Sequence, residues 1–189
     1  MGFLSRIGIG RASHSDFDHD APELEATLPA QIAGRPLVKW SIAGASFWKA
    51  VGRKPNASVN AELSALGLEA DDMQLAVAGR ADTRRDPPYI VWAVKFGGLT
   101  GAALRKPLPS YLALAPMRVD TNRGEDFQDR LIANRQVMVG NRAMVNQGSH
   151  HRGLPYVYVA NSAIYAVIAE EEPWAEEAIR ALPMRDSGK

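Results

Sequence analysis

A serine, two histidines and an arginine stand together at Ser149-His150-His151-Arg152. Imidazole supplies a base or a metal ligand near neutral pH. A serine hydroxyl becomes a nucleophile when such a base, held by a carboxylate, converges on it. Asp120, Asp126 and Asp129 are the acids at hand. Neighbours on an extended chain point to opposite sides, so His150 and His151 are poorly placed to grip one ion. No Gly-x-Ser-x-Gly elbow occurs. The plainer reading is a polar loop between two strands.

A second group is Ser13-His14-Ser15-Asp16-Phe17-Asp18-His19-Asp20. Alternating carboxylates at Asp16, Asp18 and Asp20 resemble the start of a calcium loop, and His14 and His19 suit a transition metal. Counting from Asp16, however, the sixth and twelfth places hold Ala21 and Thr27, where a calcium loop needs Gly and Glu. A solvated linker explains the run as well. A third group is Arg80, Arg84 and Arg85, which with Arg152 could hold a phosphate or a carboxylate, although Asp82 and Asp86 offset that field. The fourth is Gly97-Gly98-Leu99-Thr100-Gly101, which follows an apolar strand and precedes a helix-like stretch. Anions bind in such a place, but neither phosphate-loop nor dinucleotide spacing is present.

Composition narrows the chemistry. The 189 residues carry 22 basic and 21 acidic side chains and no Cys. Disulfides, thiolate-ligated metals and a thiol nucleophile are therefore excluded. Near-neutral charge gives no basis for nucleic-acid binding. No cofactor motif is present, and none is expected. The start, Met1 to Arg11, is broken by Ser5, Arg6 and two Gly, so it reads neither as a secretory leader nor as a membrane span. The expected compartment is the cytoplasm. Peripheral membrane contact through residues 1–11 is a third functional reading, after the two below. No family is recognised from these motifs.

The elements that would position these groups follow from periodicity. Asp20 is read as the cap of a short helix, with Pro22 in its first turn and Leu24 and Leu28 on one side. Residues 37–43, 73–78 and 89–96 alternate as strands. Val38, Trp40, Ile42, Met73, Leu75, Val77, Ile90, Trp92, Val94 and Phe96 lie on their apolar face. Helices are expected near 45–51, 58–66 and 100–106, with Gly67 stopping the second. Residues 122–130 read as irregular or helical, and 136–145 as a hairpin turning at Gly140-Asn141. Residues 156–160 and 163–169 flank a turn at Asn161-Ser162. A last helix has Pro173 in its first turn and Trp174, Ala178, Ile179 and Leu182 inward.

Short links between strands predict an α+β, two-layer sandwich: a mostly antiparallel sheet with helices mainly on one face. An internal pseudo-repeat is expected, with half-repeats 30–115 and 131–183. It matches the turn at Ile32-Ala33-Gly34-Arg35 to one at Val139-Gly140-Asn141-Arg142. The domain is expected over 20–183, between flexible tails at 1–19 and 184–189. Functionally, missing catalytic signatures lead to a non-catalytic protein-interaction or self-assembly module, with Tyr89, Val91 and Ala93 as an exposed packing surface on a protein partner or second copy. The alternative is a small-ligand-binding protein or hydrolase-like enzyme using Ser149, His150, His151 and Arg152.

Overall fold

The computed structural model describes residues 18–44, 46, 61, 63–65, 67–80, 89–99, 127–140 and 153–184. In chain order these form α1 (Pro22–Ala26), β1 (Gln31–Ile32), β2 (Arg35–Pro36), β3 (Val38–Ala43), a 3-10 turn (Ala70–Asp72), β4 (Met73–Gly79), β5 (Tyr89–Phe96), β6 (Phe127–Ile132), β7 (Arg135–Gly140), β8 (Leu154–Ala160), β9 (Ala163–Ala169) and α2 (Glu172–Ala181). The first two strands pair with each other. The other seven make one sheet in the order β3-β4-β5-β9-β8-β7-β6, antiparallel throughout. The fold is therefore α+β with a dominant antiparallel sheet, as the strand links imply.

Local chemistry explains the elements. Tyr89–Phe96 is almost wholly aromatic and β-branched, the residue types that fit a pleated surface. Three two-residue turns close hairpins at Ala33-Gly34, Ala133-Asn134 and Asn161-Ser162, and every one of these residues has positive φ. That is the turn whose twist matches the strands it joins. Gly67 takes φ +71 and the Leu68 amide reaches back to the Leu63 carbonyl, so the helix stop read at Gly67 is present.

The side of the sheet expected to stay exposed is covered by helices. Both α1 and α2 pack on the side of Ala76, Ala78, Tyr89, Val91, Ala93, Tyr165 and Val167, where Leu24, Leu28, Ala178 and Ile179 join one core. Tyr89, Val91 and Ala93 are thus buried, and they offer no surface to a partner. The small Ala and Val side chains let a helix approach the strands closely. Tyr89 fills the remaining space edge-on to Trp174, ring centroids 5.5 Å apart, and donates its hydroxyl to the Ile32 carbonyl at 3.0 Å. The strongly apolar face, with Trp40, Leu75, Trp92 and Phe96, is buried as well, along with Leu63 and Leu68. Burial on both sides makes Ser41, on the polar side of β3, a fully buried residue.

Three further expectations are corrected. Residues 127–130 are neither irregular nor helical but begin β6. The hairpin turns at Ala133-Asn134, and Gly140 lies inside β7. Gly140 is there because a Cβ would come within 2.6 Å of the Pro155 ring on β8. Asp20 does not cap α1, whose preceding residue is Ala21. Its carboxylate accepts the Ala43 amide at 3.1 Å instead. Pro22 does stand at the helix start, where a missing N–H costs nothing.

Register relates the two halves of the sheet. Across it run the pairs Lys39–Ala78, Ala78–Val91, Val91–Val167, Val167–Tyr156 and Tyr156–Val139. The sequence reaches outward equally from the Val91–Val167 seam, and its ends, Lys39 and Val139, stand 100 positions apart. The same interval separates Ile32-Ala33-Gly34-Arg35 from Ile132-Ala133-Asn134-Arg135, whose turn φ values are 53 and 66 against 50 and 60. The turn expected at Gly140-Asn141 lies at Ala133-Asn134 instead.

Candidate functional site

Most residues singled out for chemistry, namely His14, Asp16, Arg84, Arg85, Asp120, Asp126, Ser149, His150, His151 and Arg152, lie outside the described residues. So do Thr100 and Gly101. The Gly97 amide reaches the Asp72 carbonyl at 3.4 Å and Gly98 has φ +83, so this pair makes the exit turn from β5. Among the described residues no three His, Asp or Glu stand close enough to hold a metal ion.

Asp18 and His19 are described, and both join the N-terminal chain to β3. The Ser41 amide donates to the Asp18 carbonyl at 3.0 Å, and the Asp20 amide donates to the Ser41 carbonyl. The His19 ring nitrogen Nδ1 sits 2.9 Å from both carboxylate oxygens of Glu25. Below them the Ser41 hydroxyl accepts the Ala21 amide at 2.7 Å. Lys39 donates to the carbonyls of Glu25 and Leu28, at 3.2 and 2.6 Å, and so supplies a cation to the last turn of α1. Burial lowers the Lys39 pKa from its ordinary value, and the nearby Glu25 charge partly opposes this. Through these bonds the Ser41 hydroxyl and the Lys39 ammonium hold α1 on the sheet. Ser41 is buried with its oxygen occupied, so a nucleophilic role there has no support.

The two edges of the sheet are treated differently. On β3 the outward amides of Ser41 and Ala43 donate to the Asp18 carbonyl and the Asp20 carboxylate, and just before it the Leu37 amide donates to the Ala30 carbonyl. At these positions the chain's own preceding residues cover that edge. At the other edge lies β6. Its hairpin closes on the pair Ile132–Arg135, which must exchange both ladder bonds, as do Arg130–Val137 and Gln128–Val139. The backbone groups of Phe127, Asp129 and Leu131 therefore point away from β7. Among the described residues nothing pairs with them.

Side chains on β6 match this exposure. Gln128, Asp129, Arg130 and Leu131 are exposed, and Leu131 at 76% is one of two large apolar residues so placed among the described residues. Arg130 is satisfied by Glu172 at 2.7 Å, whereas Asp129 has no ion-pair partner among the described residues. Sequence reading missed this edge because the charges at Asp129 and Arg130 hide the alternation. The Ile-Ala-Asn-Arg turn, so close to Ile-Ala-Gly-Arg, was the signal that would have found it.

Comparison with known proteins adds no relative: no family model, no curated protein and no solved structure matches the chain. Among the described residues no helix is long and apolar enough to cross a membrane.

Proposed function

We propose that this chain is a protein-interaction module that takes up an extended segment of a partner as an added strand on the outer edge of β6. One observation carries the reading. The outward backbone groups of Phe127, Asp129 and Leu131 are unpaired among the described residues, next to an exposed Leu131, while the opposite edge is covered at Leu37, Ser41 and Ala43. Strand addition draws affinity from main-chain bonds and specificity from alternate side chains. An uncovered edge is otherwise a liability that proteins blunt.

The test places a photo-reactive amino acid at position 131 in the native host, with a control at exposed Arg180 on α2. A partner cross-linked from 131 alone, and lost in Asp129→Pro, supports strand addition. Proline at 129 removes only an amide that the β6–β7 ladder does not use. Adducts that survive Asp129→Pro, or that form equally from position 180, overturn it.

A further inference from the structure

The same edge specifies the chemistry of its guest. Phe127, Asp129 and Leu131 share one side of β6 and are also the residues with outward backbone groups. A strand added there sets its side chains directly beside these three, at every second position. Leu131 and half-buried Phe127 ask for apolar neighbours, and between them Asp129 asks for a cation. The intervening positions face Gln128 and Arg130, and Arg130 is already paired with Glu172. We infer, resting on the interaction reading above, that the guest is an extended segment of another protein with the pattern apolar–x–Lys/Arg–x–apolar.

A second copy of the chain is a poorer guest. Two β6 edges related by a two-fold axis pair antiparallel with equal faces matched, so residues of like parity oppose each other. Centred on Asp129, two carboxylates meet, and Phe127 faces Leu131. Centred on Arg130, two guanidinium groups meet and Asp129 faces Leu131. In no such register does Asp129 face a cation.

The experiment titrates the full-length chain with short peptides carrying Val, Lys and Val at alternate positions with Thr between. Companion peptides have Glu in place of Lys. The Lys peptide is expected to bind about three- to tenfold more tightly than the Glu peptide at low salt. Asp129→Lys should invert that order. Equal affinities, or an order that Asp129→Lys leaves unchanged, overturn the guest chemistry even where cross-linking from position 131 succeeds. Failure of cross-linking as well removes the interaction reading itself. A dimer in sedimentation that Asp129→Pro dissolves makes a second copy the occupant and also overturns it.

The register of the sheet carries a separate inference. We propose that the chain arose by internal duplication, with the halves meeting at the Val91–Val167 pair. Tyr89, Val91 and Ala93 of β5 face Ala169, Val167 and Tyr165 of β9, so the same Tyr-x-Val-x-Ala order runs in both seam strands. With the seam set at Val91–Val167 by that shared order, the pairing relates Lys39 to Val139, at the interval of 100 that also relates the two Ile-Ala-Gly/Asn-Arg turns. The seam strands, carried outward through the register, and the turns thus agree on one offset. The test is to sequence relatives of this chain and align their two halves as separate profiles. Residues 32–40 should match 132–140 without a gap. A best match at another offset, or one no better than shuffled sequences give, overturns the duplication.

Discussion

The guanidinium of Arg135 lies 5.3 Å from the centroid of the Tyr158 ring while its nitrogens reach the carbonyls of Arg180, Leu182 and Pro183. One side chain at the start of β7 thus closes the end of α2, where helix carbonyls have no partner of their own. Tyr158 adds its hydroxyl to the Pro183 carbonyl at 3.2 Å. The β6–β7 hairpin and the last helix are therefore one mechanical unit.

Arg135→Ala should lower stability to denaturant by about 1–3 kcal/mol, since several carbonyls lose their donor together. Arg135→Lys should recover less than half of that, because one ammonium nitrogen cannot span the three carbonyls that two guanidinium nitrogens reach while the group also lies against the ring. A double-mutant cycle with Tyr158→Phe should give a coupling of about 0.5–1 kcal/mol. Full recovery by Lys would show that charge alone matters.

The paired turns should respond alike. Ala33 and Ala133 hold φ of 53 and 50, a conformation in which Ala is strained and Asn is not. Ala33→Asn and Ala133→Asn should each raise stability by about 0.5 kcal/mol, additively. Gly34→Ala, at φ +66, should lower it by about 1 kcal/mol. Thermal melts of the set decide the matter, and unequal signs at 33 and 133 would contradict equivalent turns.

Trp92 sits in the strongly apolar face, 1% exposed, with an indole N–H that has no acceptor among the described residues. Leaving such a donor unpaired costs about 1–3 kcal/mol. Trp92→Phe removes that cost as it removes volume, and its net effect should stay within about 1 kcal/mol. Trp92→Ala should cost about 3–5 kcal/mol. A Phe variant as damaged as the Ala variant would mean that the ring's size, not its N–H, dominates.

Alkaline stability should carry two opposite signatures. Burial raises the pKa of Tyr156 and Tyr165 above the ordinary 10.0. The unfolded chain then loses these protons first, and stability falls as pH rises above 10.0. Lys39 is lowered below 10.5 by burial, so between its native value and 10.5 the unfolded chain holds the extra proton and stability rises with pH. The variant Tyr165→Phe should therefore flatten the alkaline fall, while Lys39→Met should flatten the rise that precedes it. Denaturant titrations across this pH range read both.

Much of the fold follows from short stretches of sequence. Ile90, Trp92, Val94 and Phe96 alternate with Tyr89, Val91 and Ala93, and β5 begins and ends where that alternation does. Asn161-Ser162 tolerates the positive φ that its turn requires, and Pro173 starts α2 because its position needs no amide. These are local preferences, set within a few residues. The burial of both sides of the sheet is not local. Both sides of β5 are apolar enough to be buried, and α1 and α2 pack on the side with small residues. Nor is the partner of β5 local: Val91 meets Val167 only because distant strands can fold back to share a ladder. The candidate site was least legible of all. The types of residue in β6 are fixed by the sequence, but that its edge has no partner among the described residues, while residues 18–20 bond to the edge of β3, depends on which segments reach which strands, and only the folded molecule decides that.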